Sequence, residues 1–373
     1  MERRTFLRTG LAIGAAGIGG SLGFLPEMAQ ALPARSDGPI RLSSNENPLG
    51  VAPAGRQAIL DAIEEANRYP GERRRELLEA LAKLHGVGAE NIVLGNGSTE
   101  VLQMAVQALA TPDARLILAE PTYEDVPWYA QPFTFQLVKV PLDQDFAHDL
   151  GRMRERAESG SQRALVYLCN PNNPTGTLTQ SSEIDVWITS ARDNTYFLVD
   201  EAYYDYCEDP GYWSCTKWLD RPNVVVSRTF SKIYGMAGMR LGYAIAHRDT
   251  ADRLREFIGR NNANQLALAA ALASLGDKDL VGRSRKANSD GLRILHECLD
   301  ELGLEYLPSH TNFAMHRISG ELGVYQKRMA DAGIRVGRKF PPMLEYSRLS
   351  IGLPEEMERF AETLRGFRKK GWV

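Results

Sequence analysis

Residues 227–243 read SRTFSKIYGMAGMRLGY. One lysine, Lys232, stands between a short polar run and a glycine-rich run, and Arg240 follows it. The stretch is framed by two apolar, β-rich runs, NVVVSRT (223–229) and LGYAIA (241–246). The lysine therefore lies just past one buried strand, and the arginine just ahead of another. A surface lysine needs neither neighbour. A lysine in a partly desolvated pocket sheds its proton more easily and becomes a nucleophile toward carbonyls. Arg240 and Ser231 could bind a phosphate, the arginine offering a fork of donors. The small residues would leave room for a ring.

Working outward, further β-rich runs occur at NIVLG (91–95), ARLILAE (114–120), RALVYLC (163–169) and TYFLVD (195–200). Stretches of helical spacing, such as Val101 to Ala110 and Ile184 to Ala191, separate them. Continuously apolar strands alternating with helices predict an α/β fold with a mostly parallel sheet covered on both faces. Helical stretches run from Ala251 to about Leu302. After them, FAMHRI, IRVGRK and YSRLSIG predict a small second sheet, and Pro354 to Arg368 a closing helix, together a smaller α+β lobe. The division expected is a leader at 1–31, an N-terminal arm at 32–50, a large domain at 51–275 and a small domain at 276–373.

In such sheets ligands bind beyond the carboxyl ends of the strands. After NIVLG come Gly97, Ser98 and Thr99 at a helix start, where free N–H groups point at an anion. Ser98 capping its own helix is the plain alternative. After ARLILAE comes Tyr123, which could stack on a planar ligand or belong to the core. After RALVYLC, the two prolines of NPNNPTG (170–176) make a rigid loop that presents Asn173. After TYFLV come Asp200 and Tyr203. A carboxylate at the end of a buried strand needs a cationic or hydrogen-bonding partner, unless it is an ordinary helix cap. Taken together these residues ask for one ligand. It has an aldehyde for Lys232, a phosphate for Ser98, Ser231 and Arg240, and a ring nitrogen for Asp200. It also has a ring hydroxyl for Asn173 and Tyr203 and a flat face for Tyr123. Pyridoxal 5′-phosphate (PLP) meets all of these demands.

The composition is ordinary for a soluble globular protein that can bury a large core. The chain has 373 residues, 43% hydrophobic and 24% charged, with a net charge of −3, so nothing suggests nucleic acid or an anionic membrane as partner. Cys169, Cys207, Cys215 and Cys298 show no C-x-x-C spacing, and no metal site is expected. No G-x-G-x-x-G follows the first strand, which argues against a nucleotide-dependent enzyme. The first residues, MERRTFLRTGLAIGAAGIGGSLGFLPEMAQA, are of another kind. Arg3 and Arg4 precede a short, glycine-rich apolar run, and small residues close it at Ala31. This resembles a twin-arginine export signal cleaved after Ala31, rather than a membrane span. A periplasmic or other extracytoplasmic location follows from that reading, with a cytoplasmic one as the alternative.

The ordered strings NENPLG (45–50), RYPG (68–71), GNGSTE (95–100), PTY (121–123), NPNNPTG, VDEAY (199–203), SRTFSKIYGMAGMRLGY and YSRLSIG (346–352) resemble a fold-type I aminotransferase. Within that group they resemble the histidinol-phosphate aminotransferase family, from about Arg41 to the C-terminus. The resemblance implies a large domain with a seven-stranded sheet, a smaller C-terminal domain and a homodimer. It implies amino transfer between an amino donor, of histidinol-phosphate or aromatic type, and 2-oxoglutarate. Lys232 would be the Schiff-base lysine and proton carrier, Asp200 the partner of the ring nitrogen, and Asn173 and Tyr203 the partners of the ring oxygen. Tyr123 would stack on the ring, and Gly97, Ser98, Ser231 and Arg240 would hold the phosphate, joined by Tyr69 of the neighbouring subunit. Arg348 would clamp the substrate carboxylate, with Asn47 lining that pocket. The family places a phosphate-gripping arginine soon after the strand near 334–336; here GIRVGRKFPP offers Arg335 and Arg338. Other PLP chemistry on this fold, such as decarboxylation of a phosphorylated amino acid, is the alternative, as is an exported aminotransferase of secondary metabolism.

Overall fold

The computed structural model describes residues 38–373, so the leader lies outside the described residues. The strands are β1 (Ile40–Leu42), β2 (Ile92–Gly95), β3 (Arg115–Glu120), β4 (Gln136–Pro141), β5 (Ala164–Cys169) and β6 (Thr195–Asp200). They continue with β7 (Val224–Thr229), β8 (Gly242–Ala246), β9 (Phe313–Arg317), β10 (Ile334–Val336) and β11 (Tyr346–Ser350). Seven of them form one sheet in the order β2-β8-β7-β6-β5-β3-β4, parallel except for β8, which runs against both neighbours.

Strands β5 and β7 are buried at every residue, because helices cover both faces. Alternate side chains feed two cores. Val166, Leu168, Phe197 and Val199 point to one face, with helices Gly71–His85 and Gln265–Gly276. Leu165, Tyr167, Cys169 and Leu198 point to the other, with helix Gly97–Leu109. The period-2 alternation thus sets Tyr167, Cys169 and, by parity with Leu198, Asp200 on one face of the sheet.

The C-terminal lobe has its own core, built from Leu295, Leu299, Tyr325, Phe360 and Leu364 on helices Leu280–Leu302, Leu322–Asp331 and Pro354–Lys369. Its strands correct one expectation. FAMHRI and YSRLSIG pair as β9 and β11, but the strand within IRVGRK is not laddered with them. Its strand β10 pairs in parallel with β1, the start of the chain's N-terminal segment. From β1 the chain runs across the ends of the large sheet, and the Asn45 N–H donates to Ser350 Oγ at 2.7 Å. No helix of the described residues is long and apolar enough to cross a membrane.

Candidate active site

The carboxyl ends of β2, β3, β5, β6 and β7 open into a cavity of about 250 Å³. Ser98, Tyr123, Asn173, Asp200, Tyr203, Ser231, Lys232 and Arg240 all line it, and Arg338 and Arg348 close it from the C-terminal lobe. The residues singled out by their position after strand ends are therefore brought together.

Lys232 Nζ donates to the Asn45 carbonyl at 3.1 Å and lies 5.6 Å from the centre of the Tyr203 ring. Burial, aided by the charge of Arg348, brings its ammonium down from 10.5 to about 8. Roughly a tenth of it is free base at pH 7, against about one part in several thousand for an ordinary lysine.

Asp200 is 2% exposed at the end of β6. Tyr167 Oη donates to its Oδ2 at 3.1 Å, and the Ala202 N–H to its Oδ1 at 3.2 Å. Burial nevertheless pushes the carboxyl up to about 6, since two neutral donors do not replace bulk water. Only a single 3-10 turn, Tyr204–Tyr206, follows, so Asp200 is not an α-helix cap. Its neighbour Glu201 is locked in a buried ion pair with Arg228 at 2.7 Å and also accepts from Ser214 Oγ and the Cys215 N–H. That network fixes the backbone beside Asp200.

At the other end of the cavity, Arg240 adopts a left-handed backbone, φ 56°. Its Nη1 donates to the Ala237 carbonyl at 2.9 Å and lies 3.5 Å from Ser231 Oγ, while Nη2 lies 3.5 Å from Thr99 Oγ1. Asn96, not Ser98, is the cap residue of helix Gly97–Leu109, so Ser98 sits in the first turn among the free N–H groups. A Cβ on Gly97 would come within 2.3 Å of Arg240 Nη2; glycine there makes room for the guanidinium. The small residues around Lys232 need a correction of the same sort. A Cβ on Gly235 would strike the Gly50 carbonyl at 2.1 Å, so this glycine admits the N-terminal segment rather than a ring.

On the substrate side, Arg348 is buried, and burial lowers its guanidinium to about 10. Its Nη1 donates to Asn173 Oδ1 at 2.7 Å and its Nη2 to the Ser43 carbonyl at 3.0 Å. Arg338 lines the cavity, whereas Arg335 is exposed on β10 and lines only an adjoining hollow that shares Ser44, Arg338 and Arg348 with it. Asn47 is a second correction. Its amide is bound to the Ile233 carbonyl and Ser284 Oγ and it accepts from the Leu49 N–H, so it pins the N-terminal segment and does not line the cavity. Asn45, two residues earlier, does line it, and donates to Tyr203 Oη at 3.0 Å. Tyr69 is 83% exposed and lies outside the cavity.

The sequence reading missed Asn45, Tyr167, Glu201 with Arg228, and Phe340. Only Glu201 and Arg228 carried a signal, as charges just past and within otherwise apolar strand sequences. Among the described residues no group of three or more histidine, cysteine or acidic side chains could hold a metal ion.

The residues present fit PLP. A buried carboxyl pushed up to about 6 suits a cationic ring nitrogen. Arg240, Ser231 and the start of helix Gly97–Leu109 suit a phosphate. A lysine lowered to about 8 suits an aldehyde. Fold and site together define a PLP-dependent aminotransferase, and comparison with known proteins agrees. Residues 37–364 match the model for aminotransferase class I and II, and the chain belongs to that family. A histidinol-phosphate aminotransferase of Nitrosococcus oceani is 38% identical over 335 residues, 88% of either chain. A solved structure from Erwinia carotovora atroseptica is 40% identical with TM-score 0.88, covering 90% of this chain and 97% of that one. The histidinol-phosphate aminotransferase of Sinorhizobium meliloti, solved in complex with pyridoxal-5′-phosphate, is 26% identical with TM-score 0.82, over 94% of this chain and 99% of that one. An L-threonine-O-3-phosphate decarboxylase of Porphyromonas gingivalis, at 22% identity, shares the fold.

Proposed function

We propose that this aminotransferase moves an amino group from a histidinol-phosphate-like or aromatic donor to 2-oxoglutarate, with Lys232 as the residue that bonds to the cofactor. The observation that carries the reading is Lys232, lowered to about 8, in one cavity with the buried Asp200. PLP, when bound, supplies an aldehyde and a ring that accepts electrons. Asp200 would hold a proton on the ring nitrogen. Asn173, whose Oδ1 is engaged by Arg348, would offer its amide N–H, and Tyr203 its O–H, to the ring oxygen. Tyr123, its hydroxyl tied to Asp125 Oδ2 at 2.7 Å, would present its ring face. Ser98, Ser231, Arg240 and the Gly97 backbone would grip the phosphate. Freed by substrate, Lys232 would carry the proton between substrate and cofactor carbons. Arg348 would bind the substrate's anionic group and hold it in register with that lysine.

Half-reaction spectra test the donor. Histidinol phosphate or an aromatic amino acid is expected to bleach the visible band of the holoenzyme, with glutamate formed when 2-oxoglutarate is added. Carbon dioxide release without glutamate would refute the reading. The exposed Tyr69 fits a tyrosine that completes a neighbour's phosphate site in a homodimer. The same preparation should then sediment as a dimer, and full activity in a monomer would remove Tyr69 from the site.

The leader supports export through the twin-arginine route, since a protein that needs a cytoplasmic cofactor has reason to fold before it crosses. Replacing Arg3 and Arg4 with lysine is expected to keep the enzyme active and uncleaved inside the cell. The wild type would begin near Leu32, outside the membrane. Wild-type protein found wholly in the cytoplasm with its first residues intact would end the export reading.

A further inference from the structure

Two arginines face the substrate end of the cavity, and they are held differently. Arg348 is buried, with donors fixed on Asn173 and Ser43. Arg338 is more than half exposed, and its guanidinium is gripped by one acid, Glu124, with Nη2 at 2.6 Å from Oε2 and Nη1 at 3.3 Å from Oε1. Both guanidinium groups lie against the same ring, Phe340, at 4.4 Å for Arg348 and 4.2 Å for Arg338. Glu124 directly follows Tyr123 in the turn after β3, while Arg338 and Phe340 follow β10. The ion pair therefore spans the cavity mouth, from the large-sheet side to the C-terminal lobe. The backbone explains why the second arginine is at 338. Gly337 N–H bonds the Arg348 carbonyl at 2.8 Å, and a Cβ at 337 would come within 2.6 Å of that oxygen. Any side chain there would push Arg348 out of place, so the second cation arises one residue later, within reach of Glu124.

We infer that Glu124 is a specificity-determining residue, an internal anion that occupies Arg338 whenever the bound substrate has only one anionic group. This rests on the proposed role of Arg348 as the clamp for the first anion. A substrate with a second anionic group, a dicarboxylate or a phosphorylated acid, must take Arg338 from Glu124. A substrate whose remainder is neutral, such as an aromatic amino acid, leaves the pair closed. Exposed ion pairs of this kind are weak, so the exchange is readily reversible. The glutamate therefore handicaps dianions and leaves monoanions untouched. One mouth can then admit a neutral-tailed donor and a dianionic acceptor in turn.

The test is equilibrium binding of two unreactive acids to the holoenzyme by calorimetry: glutarate, a dianion, and butyrate, a monoanion. In Glu124→Gln the internal anion is gone while the side chain keeps its size. Glutarate should then bind ~2–5-fold more tightly, the handicap an exposed ion pair can impose. Butyrate should stay within about twofold of wild type. If both ligands shift by the same factor, or glutarate shifts less than twofold or weakens, Glu124 does not set specificity and the inference is overturned. If neither acid binds the wild type, the placement of Arg348 falls, and the inference with it. That outcome leaves transamination itself to be measured separately.

Discussion

Lys232→Ala protein is expected to fold, to bind PLP weakly and to show no transamination. In the proposed function the lysine would serve two needs at once, a covalent bond to the cofactor and a proton carried between carbons, and no other amine lining the cavity is placed to replace it. Among the described residues lining the cavity, the only other basic groups are Arg240, Arg338 and Arg348. Guanidinium groups stay protonated and cannot act as nucleophile or base near neutral pH. Loss of both functions should reduce turnover by many orders of magnitude, whereas removal of one positioning contact costs about 10²–10³. Turnover within tenfold of wild type would contradict the assignment. Thermal unfolding separates this from misfolding. Lys232 contributes one hydrogen bond, to the Asn45 carbonyl, and removing a lysine with a depressed pKa relieves a buried charge. Cofactor-free variant and wild type should therefore melt at similar temperatures.

Asp200→Asn is the second large effect. Asparagine preserves shape: its oxygen can still accept from the Ala202 N–H, while its amide nitrogen takes the place of Oδ2 and can donate to Tyr167 Oη. The negative charge is lost. An ionised carboxylate opposite a protonated ring nitrogen is a charge-assisted pair in a nearly dry site, where such pairs are strongest. Burial pushes this carboxyl to about 6, with Lys232 pulling it down only slightly. Between the ordinary value of 3.8 and about 6, the folded cofactor-free protein holds a proton that the unfolded chain has released. The contribution of Asp200 to stability should therefore fall as pH rises through that window, and the pH slope of Asp200→Asn should differ from that of wild type by this component. On catalysis we expect at least a ~10²-fold fall in kcat, comparable with removing one preorganised charge partner. A fall of less than tenfold, or an unchanged pH slope, would count against the role given to Asp200.

How much of this was legible in the sequence depends on burial. Strands β5, β6 and β7 are enclosed on both faces and read as largely apolar runs, with polar residues in β6 and β7 concentrated at Asp200 and Ser227 to Thr229 near their carboxyl ends. Strand β4, QLVKVP, pairs only with β3 at the sheet edge and is largely exposed, so it gave no such signal. The β1–β10 pairing joins two three-residue strands from opposite ends of the chain, and no local pattern encodes such a partner. The site follows the same logic. Residues at or just past the ends of buried strands, Asp200 and Ser231-Lys232 above all, were legible because the apolar runs ahead of them mark where ligands bind. Asn45 and Asn47 lie in an irregular segment where two asparagines look alike. Only the fold shows that Asn45, at φ 54°, turns toward Tyr203 while Asn47 is spent on Ile233 and Ser284. Glu124 and Phe340 are likewise ordinary in sequence, and gain meaning only when the two arginines are seen against them.

The proposed function has Lys232 as a pre-lowered amine that captures the cofactor. It is tested most directly by mixing cofactor-free protein briefly with PLP at a series of pH values, reducing with borohydride and mapping the labelled peptide. The account predicts a single label on Lys232. Its extent should rise with pH about a midpoint near 8, because burial and Arg348 have lowered the ammonium from 10.5 and the free amine is the reactive form. A label on another lysine, or a midpoint near 10.5 on Lys232, would contradict it.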